Sequence, residues 1–123
     1  MLGHINNVIY VRYLESGRLD YLNRIMGISF KQSVGQGVIL ADMKVSYLRQ
    51  VHHPANLEVV TRVSRIGNTS FDVAAGIYDE TGVAVVKSSA VCVWFDYAVN
   101  QKLPVPQAMR DAIFNYESVK PVM

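Results

Sequence analysis

Cysteine and clustered charge are what this sequence has least of. Its 123 residues include one cysteine, Cys92, so no disulfide can form within the chain and a reducing compartment is expected. Because Cys92 lies in an apolar run, we expect a buried core thiol rather than a nucleophile. The 12 basic residues are scattered singly against 10 acidic ones. Without a run of basic residues, the sequence shows no positively charged patch to which nucleic acid would bind.

Long hydrophobic runs are also absent. No stretch approaches the roughly 20 apolar residues of a membrane helix, and no basic and apolar signal-peptide regions are visible at the start. We therefore expect a cytoplasmic protein with no membrane partner. The length predicts a single domain over residues 1–123. Half of the residues are hydrophobic and only 18% are charged, which leaves apolar surface for a partner subunit.

The hydrophobic period predicts one long helix at the start of the chain. Apolar residues follow a helical period over residues 7–26, and Asn6 or Asn7 can cap the beginning. Gly27 is expected to end the helix. Gly17 in its middle predicts close packing against a sheet, where a Cβ would not fit.

From Val38 the period changes to two, which predicts strands. The last strand is apolar on both faces and is therefore expected to be central. Gly67–Asn68 and residues 79–82 are turn signals, and Pro106 is placed to open a short final helix. The predicted architecture is α+β, with a long helix on the concave face of four meandering antiparallel strands and a short C-terminal helix. The strands are expected at residues 38–48, 57–66, 71–77 and 83–96.

The first seven residues, MLGHINN, place a glycine, an imidazole and two carboxamides directly ahead of the long helix. The free N–H groups and positive dipole end of a helix favour a developing negative charge. Gly3 lets the backbone approach a substrate closely. His4 can donate a hydrogen bond or steer a water molecule, or it can simply pin the loop by packing. The pattern predicts that these residues lie at the edge of a functional site.

This segment resembles the GHxNNxxYxxYxExxR signature of hotdog-fold acyl thioesterases, the branch that includes 4-hydroxybenzoyl-CoA thioesterase and the acyl-acyl-carrier-protein thioesterases. Later segments, YLRQVHHP, RIGNTSF and PVP, resemble further parts of the family, so the likeness spans nearly the whole chain. It implies the hotdog fold and hydrolysis of an acyl-CoA or acyl-carrier-protein thioester. The residues that match the signature are Gly3, His4, Asn6, Asn7, Tyr10, Tyr13, Glu15 and Arg18.

The resemblance implies that the backbone from Gly3 to Asn7 polarises the thioester carbonyl, with His4 and Asn6 beside it. Glu15 is a candidate general base if it lies on a half-buried helix face, since some hotdog families place a catalytic carboxylate on this helix. The alternative is an ion pair of Glu15 with Arg18 or Arg12. The predicted catalytic set is Gly3, His4, Asn6, Asn7 and Glu15.

A second group of residues is predicted to bind the substrate. Tyr10 is a candidate for the acyl pocket, or simply a core residue. The hairpin residues are candidates for the phosphates of CoA or of a pantetheine arm, or are solvated surface charge. No cofactor is expected beyond the CoA or pantetheine of the substrate, and no metal site. The candidates are Tyr10, Arg62, Arg65, Gly67, Asn68, Thr69 and Ser70.

One part of the family pattern is missing. Family members use an Asp three residues before the glycine as nucleophile or general base. In this sequence that Asp, together with a first strand, would precede Met1. We expect a truncated start rather than an altered activity. A non-hydrolytic acyl-thioester-binding protein and a hotdog dehydratase or hydratase are the alternatives. Because family members join strands of two protomers into one sheet, we expect a homodimer or homotetramer joined through the Ile39–Tyr47 strand.

Overall fold

A long helix precedes all the strands. The structure is a computed structural model that describes residues 7–31, 35–50 and 56–123, with side chains in the helix described for residues 8–26. The elements in chain order are α1 (Asn7–Lys31), β1 (Gln36–Tyr47), β2 (Leu57–Ile66), β3 (Ser70–Asp79), β4 (Ala84–Asp96), β5 (Gln101–Lys102) and α2 (Gln107–Tyr116). The predicted long helix, curled antiparallel sheet and short C-terminal helix are confirmed.

The strand order is β1-β4-β3-β2, with the two-residue β5 on β4. The predicted central place of β4 is confirmed, but the prediction of a simple meander is wrong for β1. That strand pairs along the far side of β4, from Gln36 opposite Asp96 to Tyr47 opposite Val86. Tight turn signals force β2, β3 and β4 to be neighbours, whereas the long segment 48–56 sets no such limit on β1 and β2.

The helix α1 runs further than its sequence pattern indicates. It continues to Lys31, so the expected end at Gly27 is wrong. A glycine inside a helix costs only about 1 kcal/mol relative to alanine, and packing of the preceding turn can outweigh that cost. Met26 in that turn is 9% exposed and belongs to the core.

The core consists of two clusters between α1 and the sheet. The cluster under the first turns of α1 is smaller, and the cluster under its later turns also receives Met109 and Ile113 from α2. The smaller cluster contains Tyr10, Leu14, Ile77, Val85 and Val86. The larger one contains, among others, Tyr21, Leu22, Val63, Phe71, Cys92 and Trp94.

Cys92 lies in the larger cluster with 1% of its surface exposed, which confirms the expected core thiol. Burial raises the pKa of the Cys92 thiol to about 11, although the nearby Arg18 charge acts in the opposite direction. The thiolate is the reactive form of cysteine. Cys92 is therefore a neutral packing residue at physiological pH.

Gly17 sets how closely α1 approaches the sheet. A Cβ on Gly17 would lie 2.9 Å from Val59 Cγ1 and 2.9 Å from Thr61 Oγ1, both on β2. Carbon atoms in ordinary contact are about 3.5–4.0 Å apart, so a methyl group has no room there. The close packing that the sequence predicts at Gly17 is confirmed.

We predict that Gly17→Ala destabilises the protein, although alanine is the better helix former. Overpacking costs about 1–3 kcal/mol and the gain in helix propensity is about 1 kcal/mol, so the free energy of unfolding should fall by roughly 1 kcal/mol. Urea unfolding followed by circular dichroism measures this. Ser16→Ala, at the neighbouring exposed position, is the matched control and should leave stability equal or slightly higher. A Gly17→Ala protein as stable as the control would contradict the close contact.

Candidate functional site

The start of α1 lies at one end of the sheet. Tyr10 and Leu14 in its first turns pack against Ile77, Val85 and Val86, where β3 ends and β4 begins. The first four N–H groups of a helix have no partner within the helix, and the dipole of a 25-residue helix adds partial positive charge there. The helix thus presents an anion-stabilising end at this edge of the core.

The predicted residues Gly3, His4 and Asn6 lie outside the described residues. Asn7 is the first residue of α1, and its side chain lies outside them too. Their roles at the start of α1 therefore stay predictions. Tyr10 is the first described candidate along the chain.

Tyr10 is a core residue. Its side chain is 2% exposed, and its ring centroid lies 6.1 Å from that of Tyr47 at the end of β1, with the planes tilted by 48°. The two rings close the core at the sheet end where α1 begins. This position is compatible with the interpretation of Tyr10 as packing, and its contact with substrate stays a prediction.

Glu15 is exposed, so it does not meet the condition of a half-buried helix face on which its interpretation as a general base depended. It also forms no ion pair with Arg12 or Arg18, all three of which lie in the described part of the chain. Residues three apart differ by about 60° around a helix. Because Arg18 turns into the core, where it is 9% exposed near Cys92, its side chain points away from Glu15.

The turn between β2 and β3 is held in place by hydrogen bonds that its backbone carbonyl groups accept. Gly67 N–H donates to the Ser70 carbonyl across the turn at 2.7 Å. Trp94 N–H of β4 donates to Thr69 at 2.9 Å, and Val105 N–H donates to Asn68 at 2.9 Å. The predicted hairpin is confirmed, and it is anchored to β4 and to the segment ahead of α2.

Arg110 on α2 completes this anchor. Its Nη2 donates to the carbonyl oxygens of Gly67 at 2.6 Å and of Asn68 at 2.9 Å, while Nε donates to Val105 at 3.0 Å. Sequence reasoning missed Arg110, because a single arginine on a short amphipathic helix looks like a solvated charge. The only local signal is its position directly after the buried Met109.

Arg62 and Arg65 lie on the same face of β2. A regular strand would turn residues three apart to opposite faces. The register instead shifts between Val63 and Arg65, so that Arg62 stands opposite Ala74 and Arg65 opposite Asp72, two residues that share one face of β3. This bulge places the side chains of Arg62 and Arg65 on the same face of β2.

The two halves of the predicted site lie at opposite ends of the sheet. Tyr47, beside the start of α1, is opposite Val86 on β4, whereas Phe71, beside the hairpin turn, is opposite Cys92. Cys92 is six positions after Val86 along β4, which is about 20 Å. One chain therefore does not bring the start of α1 and the hairpin to the same place.

Two clefts among the described residues border β2, and neither contains a predicted site residue. One, of about 320 Å³, lies between α1 and β2 and is lined by Gly17, Tyr21 and Thr61 among others. Tyr21 of this lining donates a hydrogen bond from Oη to Glu117, which also accepts one from Val63 N–H at 2.8 Å. Burial, then the hydrogen bond to Glu117, raises the pKa of Tyr21 well above its usual range. This arrangement joins α2 to α1 and is structural.

We predict that Arg110→Met lowers the free energy of unfolding by about 2 kcal/mol, because three backbone carbonyls lose a charged donor. Arg65→Met is the matched control in the same hairpin, since its guanidinium is exposed, and it should cost less than about 0.5 kcal/mol. Urea unfolding of the three proteins gives both values. Equal losses in the two variants would show that Arg110 does not anchor the turn.

Comparison with known proteins places these features in a family. A sequence model of the thioesterase-like superfamily matches residues 1–113. The uncharacterized protein YsmA of Bacillus subtilis (strain 168) is 32% identical over 71 residues, which are 57% of this chain and 46% of YsmA. The match thus spans less than half of that relative's length.

Solved structures share the fold over most of the chain. A thioesterase from Thermus thermophilus, complexed with coenzyme A and Zn, is 26% identical and has a TM-score of 0.78, covering 92% of this chain and 80% of that one. A predicted thioesterase from Bacillus stearothermophilus is 29% identical with a TM-score of 0.80, covering 93% and 84%. SAV2348 from Staphylococcus aureus, in complex with CoA, shows the fold alone at 10% identity, with a TM-score of 0.83, covering 100% and 78%. The chain belongs to the thioesterase-like superfamily and has its hotdog fold.

Proposed function

We propose that this protein hydrolyses acyl thioesters of coenzyme A or of a carrier-protein pantetheine. The observation that carries the proposal is the position of α1, whose N-terminal end lies at one end of the sheet directly after the sequence Gly3-His4-Ile5-Asn6. Membership of the thioesterase-like superfamily supports it. The single buried thiol fits a cytoplasmic enzyme. In the described part of the chain, no helix is both long and apolar enough to span a membrane.

The proposed chemistry uses the backbone at the start of α1. The thioester oxygen would accept hydrogen bonds from backbone N–H groups between Gly3 and Asn7, which would stabilise the charge that develops as water attacks the carbon. The new C–O bond forms, the C–S bond breaks, and the thiolate of CoA or pantetheine takes a proton. His4 would steer the water and Asn6 would hold the loop.

Glu15 fits this role less well than His4. It lies eight residues after Asn7, which is about 12 Å along the helix. A group that activates the attacking water must be within hydrogen-bond reach of it. We therefore propose no proton transfer by Glu15 of the same chain, and we propose that His4 positions the attacking water.

The substrate's phosphates are the proposed partners of the β2–β3 hairpin. The thioesterase from Thermus thermophilus is complexed with coenzyme A, which supports a CoA-type substrate for a relative of the same fold. In this chain the bulge in β2 places Arg62 and Arg65 on one face. Two guanidinium groups on one face of the strand that leads to Thr69 and Ser70 suit phosphate oxygens.

A dimer formed through β1 would bring the two halves of the site together. β1 is a 12-residue strand at one edge of the sheet, paired only with β4 among the described strands. Such an edge is a template for pairing with another strand. When two copies of β1 pair antiparallel about a two-fold axis, the end of one sheet that holds the start of α1 adjoins the hairpin end of the other. We propose this dimer as the unit that binds substrate.

The proposed dimer can be tested by measuring the molecular mass of the protein in solution. In size-exclusion chromatography with light scattering, the chain should elute at two or more times its 13.8 kDa. The physical reason is the long edge strand, which leaves backbone hydrogen-bonding groups open to a second copy. A folded, monodisperse 13.8 kDa monomer that hydrolyses acyl-CoA would contradict a site shared between two chains.

Release of free thiol from a panel of acyl-CoA substrates tests the proposed activity. We predict hydrolysis by the chain and a loss of about 10²–10³-fold in kcat for His4→Ala, since a positioned proton-transfer or hydrogen-bonding group contributes that much. His53→Ala is the matched control, because that histidine has no proposed role, and it should keep the wild-type rate. Binding of acyl-CoA without thiol release would favour the non-hydrolytic alternative. Loss of enoyl absorbance by hydration would favour a hydratase.

A further inference from the structure

Among the described residues, Arg18 is the only charged side chain that is buried. It is 9% exposed and lies one turn after Leu14 and one turn before Leu22, which are both buried as well. Burial raises the pKa of the Cys92 thiol, and Arg18 lies close enough for its charge to act in the opposite direction. The guanidinium group of Arg18 therefore lies against the core and not in open solvent.

This buried guanidinium group has no partner in the described part of the chain. None of its N–H groups donates a hydrogen bond there, and no described carboxylate forms an ion pair with it. Arg24 on the same helix is exposed, yet it pairs with Asp20 at 3.1 Å. Burial of an ion is strongly unfavourable unless the ion is paired and hydrogen-bonded. Arg18 therefore indicates a partner that the described residues do not supply.

Arg18 points toward the β1 side of the molecule. Gly17 faces β2, and Arg18 follows it by about 100° around the helix, toward Cys92 on β4. β1 lies beyond β4 and places Leu40 opposite Cys92, on the same face of the sheet. Because α1 packs on β2 and β3, Leu40 stays 42% exposed. We call the surface formed by Val11, Arg18 and Leu40, between α1 and β1, the β1 flank.

The β1 flank leads from the start of α1 to Arg18. Val11 is 37% exposed and precedes Arg18 by almost two full turns, so both lie on nearly the same side of the helix. Asn7 lies about 16 Å before Arg18 along the axis, and helical side chains lean back toward the start, which leaves roughly 10–12 Å. An extended chain advances about 1.2 Å per bond, so roughly eight to ten carbon atoms span this distance.

We propose that Arg18 binds a carboxylate at the far end of the acyl group, so that the preferred substrates are thioesters of dicarboxylic acids. This inference rests on the proposed hydrolysis at the start of α1 and adds the substrate class to it. A guanidinium group and a carboxylate form two parallel hydrogen bonds, which makes the carboxylate its best-matched partner. Val11 and Leu40 offer apolar surface to the methylene groups between the two ends of the acyl group.

The proposed β1 dimer strengthens this contact. β1 is the edge strand through which the two copies pair, so the second copy lies beside the β1 flank of the first. Exclusion of water lowers the local dielectric constant, and an ion pair between Arg18 and a carboxylate becomes stronger there than in solvent.

Selectivity between two acyl groups of equal length tests the proposal. Thiol release is measured with mono-CoA thioesters of dicarboxylic acids of about four to ten carbons and with the matching unsubstituted acyl-CoA. In kcat/KM, the wild-type protein should prefer the dicarboxylic thioester by about 10-fold or more at roughly eight to ten carbons. It should show no such preference at about four carbons, because the carboxylate then does not reach Arg18.

Arg18→Met removes the guanidinium group and keeps an unbranched side chain. It should lower kcat/KM for the long dicarboxylic thioester by about 10²-fold and change that for the neutral acyl-CoA by less than about two-fold. Arg18→Lys keeps the charge without the two parallel donors and should retain part of the preference. Arg12→Met, the same change at an exposed position of α1, is the control and should keep the wild-type ratio. A loss of folded protein lowers both rates equally and leaves the ratio unchanged.

The stability of the protein without ligand separates this role from a structural one. If Arg18 is unpaired until a ligand binds, Arg18→Met removes an uncompensated buried charge, and the midpoint of urea unfolding should rise. Suberate, a dicarboxylate of matching length, should raise the midpoint of the wild-type protein and leave that of Arg18→Met unchanged.

The opposite results overturn the proposal. One is a wild-type protein that hydrolyses neutral acyl chains as fast as dicarboxylic ones at every length. Another is an Arg18→Met protein that is less stable, or dissociates, while its selectivity is unchanged, because a second chain then supplies the partner of Arg18. If no substrate releases thiol, the proposed hydrolysis fails by itself. Binding of a carboxylate by Arg18 is then decided by suberate, and an unchanged wild-type midpoint overturns it.

Discussion

The close approach of α1 to β2 at Gly17 is the contact on which the rest of the structure depends. A Cβ there would meet Val59 Cγ1 and Thr61 Oγ1 at 2.9 Å, so only glycine lets the helix lie this low on the sheet. That depth buries Tyr10 and Leu14 at one end of the core and Tyr21 and Leu22 at the other. It thereby sets the position of the N-terminal end of α1, where the proposed chemistry takes place.

Residues that follow a simple period could be predicted from the sequence. β2 has its predicted bounds, Leu57–Ile66, and β4 is central, because alternation and apolar runs report directly on burial. The neighbour of β1 could not be predicted, since a period of two defines the faces of a strand and not its partner. Arg62 and Arg65 share a face only through a bulge, which the period does not reveal. Arg110 acts through backbone carbonyls of a distant turn, and composition gives no signal for that.

We propose that one chain is only part of the functional unit. The start of α1 and the arginine-bearing hairpin lie at opposite ends of the sheet, and the long β1 edge could join them by antiparallel pairing. An edge strand can pair antiparallel with its own copy, so β1 can bind another copy of the chain about a two-fold axis.

The central claim is that backbone N–H groups at the start of α1 polarise a thioester carbonyl. The infrared stretching frequency of a ¹³C-labelled thioester, bound as acyl-CoA to the slowly reacting His4→Ala protein, reports this polarisation directly. Hydrogen bonds from the helix end should weaken the C=O bond and shift the band below its frequency in water. A bound thioester whose carbonyl band stays at the solution frequency would contradict the claim.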